Sequence, residues 1–574
     1  TGLAHYFEHL MFKGTDKFGT KDYATEKPLL DAIEQQFEIY RKTTDEAERK
    51  AIYHTIDSLS YEASKYAIPN EYDKLMAAIG STGSNAYTWY DQTVYQEDIP
   101  SNQIENWAKI QADRFENNVI RGFHTELEAV YGNPLQLGVT KVKDGYNFAV
   151  RSFTDELTLE IYPVTASGDK NDSPLFTVDM DEAYRFGDVF AVEITGGDLD
   201  GCSYRYVHNG TMVRDDYAAN LSGCSEFGHN IRDIKYITKI QSDRYDWEND
   251  RFPRIPYDEC IFYKLHVRGF TKSRTSGVEL SKRGTFAGII DKIPYLRSLG
   301  ITTIELMPAY EFDEAGRFAS DKEKQYSSRK PEKSGCVNYW GYLGGFHFAP
   351  KAAYCAASCS EGSYNGSYTD EFRDMVKALH ANGIEVVMEM YFTHEESYLI
   401  EDCLRYWVMN YHVDGFHIYC DECRLSAAAD DPVLGSTKII TVYWDNDRPG
   451  IHNQAECRIK RTKHMANYNT GFDEAAKRLL KGDENQLQTF ARLLRANPAD
   501  AADINYVTNH NGFTMMDLVS YDRKHNEANG EGNRDGENFN YSWNCGIEGP
   551  SRKKKINELR TRQIKNAFAM LFTA

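Results

Sequence analysis

Apolar positions change their period along the chain. Within residues 27–72, Ile52, Ile56 and Leu59 recur at helical spacing, which predicts a helical stretch. Further on, Leu157, Leu159 and Ile161 alternate with polar residues, as do Phe190, Val192 and Ile194. Period-two alternation bounded by Gly, Asp and Asn predicts the strands of a β-sandwich. From residue 261 the two patterns take turns. IFYKLHVRGFT reads as a strand, GIIDKIPYLRSLG as a helix closed by Gly300, and residues 302–307 as the next strand. Phe372, Met375, Val376 and Leu379 mark one face of a helix over 371–382, Gly383 stops it, and residues 384–392 carry the buried strand EVVMEMYF. Helices alternating with strands predict a parallel sheet.

Composition narrows the function. The 574 residues suffice for three or four domains. A formal net charge of -20 disfavours polyanions, so nucleic acid is not an expected partner. No apolar run is long enough to cross a membrane and no secretory signal opens the chain. The first residue is Thr1 rather than Met, the mark of a fragment or an incomplete gene product. Eleven cysteines without a dense framework fit a reducing cytoplasm. Cys420 and Cys423 form a lone C-x-x-C with no second pair at metal spacing, so neither zinc nor redox chemistry is expected there.

Residues 1–15 read TGLAHYFEHLMFKGT. On a helix, His5 and His9 lie one turn apart and can share one zinc, with Glu8 beside them as general base toward a metal-bound water. The segment resembles the M16 zinc peptidases (pitrilysin, insulinase and mitochondrial processing peptidase), which carry this H-x-x-E-H motif in a similar setting. GSNAYTWYDQTVY at 83–95 is similar to that family's cleft strand, and FHTELEAVY at 123–131 to its third-ligand helix. The resemblance implies Glu126 as the third zinc ligand, with Glu128 its nearest competitor. The residues around 27–72 then form a helical insertion. The resemblance ends at residue 131, with much of the peptidase domain missing.

Residues 132–223 resemble the N-terminal, carbohydrate-module-like domain of pullulanases and isoamylases, through GNPLQLGVTKVKDGYNFAVRS and YRYVHNGTMVRDDYA. With NYWGY at 338–342 and FAPKAAY at 348–354, the remainder resembles the (β/α)8 barrel of glycoside hydrolase family 13, in its pullulanase, isoamylase and glycogen-debranching branch. That resemblance implies a multidomain α/β fold. It comprises an M16-like α+β fragment over 1–131, a β-sandwich over 132–225, and a barrel over 226–574 that lacks its last strand. No Pro, Gly or Ser-rich linker marks the join at 131–133, so a natural fusion and a joining of two fragments both stay open.

Sites of such a barrel lie at the C-terminal ends of its strands. The first family signature is EMYFTH, with Glu389, Thr393 and His394; the histidine is kept and the asparagine is not. The second, VDGFHIYCDE, has His417 where the family has arginine and Tyr419 where it has the nucleophilic aspartate. The third, KIITVYWD, places Val442 at the acid–base glutamate. The fourth, TNHNG, gives His510 followed by Asn511 in place of aspartate. Two carboxylates normally perform glycoside hydrolysis, and a tyrosine, a valine and an amide do not replace them. Tyr521, Tyr541 and Trp543, in a segment that closely matches the debranching branch, are of types that contact sugars.

The expected function is therefore a debranching-enzyme-like protein that binds α-glucan such as glycogen, pullulan or starch, or regulates its metabolism, without hydrolysing it. Two alternatives stand beside it. One is zinc peptidase activity from His5, Glu8, His9 and Glu126. The other is α-1,6-glucosidic hydrolysis by displaced acids, among Glu389, Asp421 and Asp445.

Overall fold

The computed structural model describes residues 10–43, 45–68, 71–88, 93–121, 127–143, 145–163, 174–197, 199–221, 227–228, 238–240, 245–312, 314, 337–356, 368–420, 425–441, 464–496, 501–529 and 532–573. The chain divides into two compact units. The first comprises Thr1–Gly132, Lys141–Asn147 and Val192–Leu199; the second comprises Asn133–Thr140, Phe148–Ala191 and Asp200–Ala574.

In the first unit the helical periodicity of residues 27–72 gives the helices Tyr23–Lys42 and Glu46–Ser64, with Ile56 buried as its spacing requires. Asp22 caps the first of them by accepting hydrogen bonds from the N–H groups of Ala24 and Thr25. Residues 83–95 do not form one strand. Thr82–Thr88 and Thr93–Asp98 pair antiparallel instead. The helix expected over 123–131 is corrected over its described end: Glu128–Tyr131 is a strand, paired antiparallel with residues 192–195. Val130 and Tyr131 favour extended backbone, and the ladder satisfies backbone groups that a helix end would leave open.

Two buried arginines organise this unit. Arg121 makes a bidentate pair with Glu26, Nε to Oε1 at 2.8 Å and Nη2 to Oε2 at 3.0 Å. Arg114 is fully buried with its guanidinium carbon 4.2–5.2 Å from the ring centres of Phe12, Tyr72, Tyr95 and Phe115. Its guanidinium nitrogens have no hydrogen-bond partner among the described residues, so the aromatic faces carry its stabilisation.

The second unit opens with an antiparallel sheet in the order Thr211–Val213, Ser203–His208, Leu157–Tyr162, Phe176–Met180. Leu157, Leu159 and Ile161 point into its core, as the alternation predicted. Tyr204 meets Phe148 edge to face at 5.4 Å and donates its hydroxyl to the buried Asp215 at 2.6 Å.

The rest is a curled parallel sheet wrapped by helices, of seven strands among the described residues. They are β1 (Phe262–Leu265), β2 (Thr303–Leu306), β3 (Glu385–Phe392), β4 (Gly415–Cys420), β5 (Lys438–Thr441), β6 (Met465–Tyr468) and β7 (Ala502–Ile504), hydrogen-bonded in that order. Helix Tyr368–His380 precedes β3 and ends before Gly383, whose φ of 69° an L side chain rarely adopts. The single helix expected over 288–300 is two short ones, Phe286–Ile290 and Ile293–Ser298, because Pro294 has no N–H to continue the ladder.

Side chains alternate across the sheet. Ile304, Leu306, Val386, Met388, Met390, Phe416, Ile418, Ile439 and Met465 join the core that includes Phe372, Met375 and Leu379 of the helix before β3. The opposite set faces the barrel interior. Its lower layer is apolar: Val387, Ile440 and Ala466, packed with Phe262 and Ala502. The layer above is charged, and it holds the candidate site.

Candidate functional site

Lys264 on β1, Glu305 on β2, Glu389 on β3, His417 on β4 and Tyr468 on β6 all face the inside of the sheet's curl, where their side chains meet. Tyr468 donates its hydroxyl to Glu305 Oε2. Neighbouring strands stand about 4.8 Å apart, so β2 and β6 would be roughly 19 Å apart in a flat sheet. That hydrogen bond requires the sheet to be curled.

Glu305 and Glu389 are completely buried. Glu389 Oε1 accepts from Lys264 Nζ and from the Tyr419 hydroxyl at 3.2 Å, and its Oε2 accepts from the Tyr342 hydroxyl. His417 Nδ1 lies 2.8 Å from Glu305 Oε1 and 3.4 Å from Glu389 Oε1. Lys264 Nζ is also 3.7 Å from Glu305. Burial pushes Glu305 toward its neutral form, but Lys264 and His417 outweigh it and hold the carboxyl well below the usual range. Burial likewise opposes the charge on His417, while its hydrogen bond to Glu305, then Glu389, raises it above the ordinary imidazole value. Burial raises the phenols of Tyr342, Tyr419 and Tyr468 far above the ordinary tyrosine value, and the nearby carboxylates add to it. All three stay protonated and act as donors.

Glu305, Glu389 and His417 hold three possible ligand atoms within 4.8 Å of one another, a spacing that suits a divalent cation. Lys264 already sets its ammonium against both carboxylates. With His417 protonated, two positive charges offset two negative ones, so a divalent ion would have to expel one of them. The residues do not fit a resident metal. Oxygens of the two carboxyls lie within 4.8 Å of each other, which by spacing alone allows a retaining glycosidase pair. Their position does not, because both acids lie beneath Tyr419 with every oxygen engaged.

Above this layer the mouth is aromatic. The Tyr342 ring stacks on His510 at 5.0 Å and meets Tyr419 edge to face at 5.3 Å. Trp340, 43% exposed, lies 5.7 Å from His510. Burial, then the charge of Lys264, pushes His510 down to about 4, so it is neutral at neutral pH.

The structure sets Tyr419 against His417 and, through Tyr342, near His510, but it does not gather every predicted residue there. His394 is exposed at the start of the short helix His394–Leu399, whose cap is Thr393 with Glu396. Asn511 is exposed, and its backbone carbonyl accepts the N–H of Glu537. Tyr521 contacts Phe513 and His525, Tyr541 lies under the Arg478 guanidinium at 5.2 Å, and the Trp543 backbone N–H bonds to Leu518. Val442, Asp421 and Asp445 lie outside the described residues, as do His5, Glu8, His9 and Glu126. Of Glu128, only the backbone strand is described.

Sequence reasoning missed Lys264, Glu305, Tyr342 and Tyr468. A signal was present: a charged residue inside a strand buried on both faces is rare unless paired, and FYKL, TIEL and MEMY each hold one. Cys420 is a second correction. Cys202, Cys260, Cys355, Cys403 and Cys545 are not in disulfides, but Cys420, the last residue of β4, is disulfide-bonded.

No protein-family model matches the chain. Curated proteins do. Isoamylase 3, chloroplastic, of Oryza sativa subsp. japonica is 30% identical over 77% of this chain and 66% of its own length. Isoamylase 1, chloroplastic, of Arabidopsis thaliana is 28% identical over 84% and 72%. The glycogen operon protein GlgX homolog of Mycobacterium tuberculosis is 29% identical over 77% and 71%. The chain therefore spans about two thirds of the length of the rice relative. Among solved structures, the catalytic module of the glycogen-degrading pneumococcal virulence factor SpuA aligns with a TM-score of 0.53 at 18% identity, over 77% of this chain and 69% of that one. Pullulanase type I from Bacillus subtilis aligns with a TM-score of 0.50 at 18% identity, over 76% and 72%. These two likenesses speak to the fold. The sequence relatives make the chain a homologue of the isoamylase and GlgX proteins.

Proposed function

We propose that this chain binds α-glucan on a debranching-enzyme scaffold and does not hydrolyse it. The observation that carries the reading is the state of Glu389. This carboxylate is buried beneath Tyr419, the residue at the family's nucleophile position, and it accepts from Lys264, Tyr419 and Tyr342 at once. Both of its oxygens are held by donors inside the protein, so neither is presented to a sugar carbon or a water. Glu305 is equally occupied by His417 and Tyr468. A glycosidase needs one acid and one nucleophile or base that both reach the glycosidic bond.

The relatives support the ligand class, since they are named for isoamylase and glycogen-operon proteins and the pneumococcal module is described as glycogen-degrading. The exposed face of Trp340 beside His510 and Tyr342 is of the kind that sugar rings stack on. Affinity electrophoresis in gels containing glycogen or pullulan, run beside a reducing-sugar assay on the same preparation, tests the proposal. Retarded migration without release of reducing ends is expected. Free migration at high glucan concentration, or sustained release of reducing ends, overturns it.

A further inference from the structure

We propose that His266 is a positioning residue for glucan binding: it aims the loop over 338–344, which brings Trp340 and Tyr342 to the barrel mouth. This rests on the glucan-binding reading given above and names a residue behind that surface. His266 directly follows β1 and precedes the short helix Val267–Thr271. Its Nδ1 accepts the backbone N–H of Gly269 at 3.0 Å. A ring nitrogen that accepts carries no proton, so the proton of the neutral ring sits on Nε2. Nε2 donates to the backbone carbonyl of Tyr339 at 2.6 Å, with the Tyr354 hydroxyl 3.1 Å away. Burial pushes the imidazole down to about 4 against the bond to Tyr339, and the charges of Arg268 and Lys351 help. At neutral pH the ring therefore keeps this one tautomer.

The same ring packs on the loop. It stacks on the Tyr339 ring at 4.2 Å with the planes 10° apart, and it meets Trp340 edge to face at 5.9 Å. Gly269 leaves room for this, since a Cβ there would lie 2.8 Å from the Tyr339 hydroxyl. The two ends of the loop have anchors of their own. Asn338 donates its N–H to the Glu314 carbonyl at 2.6 Å, and its side chain accepts the N–H of Gly341 at 3.0 Å. Tyr310 donates its hydroxyl to the Leu343 carbonyl at 2.8 Å. Between these anchors, among the described residues, the Tyr339 carbonyl is held by His266.

That carbonyl belongs to the peptide that joins Tyr339 to Trp340, so His266 sets the direction in which the half-exposed indole leaves the chain. Two amide substitutions separate this hold from the local turn. Asparagine places its oxygen where Nδ1 lies and keeps the acceptor for Gly269, but it does not reach Tyr339. Glutamine extends to where Nε2 lies and donates to the Tyr339 carbonyl.

The test labels the whole chain with 5-fluorotryptophan and compares the native protein with His266→Asn and His266→Gln by fluorine nuclear magnetic resonance and by maltoheptaose titration. Trp340→Phe assigns the Trp340 line among the seven tryptophans. In His266→Asn the Trp340 line should shift while the other six stay in place, and maltoheptaose should bind about fivefold more weakly, the worth of one hydrogen bond. His266→Gln should keep the native line and an affinity within about twofold of native. An unmoved Trp340 line in His266→Asn, or an equal loss of affinity in both variants, overturns the proposal. If His266→Asn does not fold, His266→Gln decides alone: a native line and affinity support the proposal, and a shifted line with weakened binding overturns it. A native chain that does not bind maltoheptaose contradicts the function reading instead, and the Trp340 line still decides whether His266 aims the loop.

Discussion

The hydroxyl of Tyr419 donates to Oε1 of Glu389 across 3.2 Å, from β4 to the neighbouring β3. Under the proposed reading Tyr419 takes the place of the nucleophile, and the bond makes it a lid over a buried carboxylate.

Tyr419→Phe removes one donor from Glu389 and leaves the ring packing in place. Urea denaturation is expected to show a loss of about 1 kcal/mol, the ordinary net worth of a hydrogen bond, rising toward about 3 kcal/mol if the charged acceptor is left short. Reducing-sugar release should stay at background in the variant.

Tyr419→Asp puts an acid at the position that the proposed reading assigns to the nucleophile. The new carboxylate would enter a layer whose two positive charges are already matched by Glu305 and Glu389. The expected outcome is a fall in stability without glycosidase activity, measured by urea midpoint and by release from pullulan.

Lys264→Met takes one cation from this quartet. Breaking a buried ion pair from one side costs about 3–5 kcal/mol because the partner charge is left uncompensated. Combining it with Glu389→Gln should recover part of that loss, so the double variant should be more stable than the sum of the two single effects. Additive losses would show that the two groups are not coupled.

His380 supplies a pH signature away from the mouth. Its Nδ1 faces Asp250 at 3.0 Å and its Nε2 faces Asp414 at 2.8 Å, with His412 on the far side of Asp250 at 2.6 Å. Burial disfavours the imidazolium, but Asp414 and Asp250 overcome it and raise the folded value. A raised value means that the folded state holds the proton longer than the unfolded one. The stabilisation is therefore complete below about pH 6.5, the unfolded value, and declines as pH rises through the folded value. Urea midpoints from pH 6 upward should fall for the native chain and stay flatter for His380→Gln.

Asp215 acts in a lower window. Burial raises it to about 6, against hydrogen bonds from Tyr204 and from the backbone of Tyr217. Its contribution is full below the unfolded value near 4 and is lost as pH climbs through about 6. Asp215→Asn should remove that step from the pH–stability curve measured by thermal unfolding.

The outer face of the barrel was legible because it repeats. Phe372, Met375, Val376 and Leu379 at helical spacing, followed by Gly383 and an apolar strand, are local signals, and the structure builds that helix and strand. The strand that carries Tyr419 was legible through the Asp414-Gly415-Phe416 sequence ahead of it, and Gly415–Cys420 is that strand. The partner of Tyr419 was not. Glu389 drew notice as a displaced acid, while its role as an acceptor depends on Lys264 and Tyr342, 125 and 47 residues away. Glu305 and Tyr468 meet across 163 residues, through the curl of the sheet. Strand Glu128–Tyr131 was misread as a helix for the same reason: its ladder partner lies at 192–195, and no local pattern around 123–131 announces it.

The most direct measurement follows the anomeric protons of pullulan by one-dimensional nuclear magnetic resonance during long incubation with stoichiometric protein. The account predicts broadened glucan lines with an α-1,6 anomeric signal that keeps its full integral. An α-1,6 signal that decays with time, and stops decaying in Glu389→Gln, would contradict it.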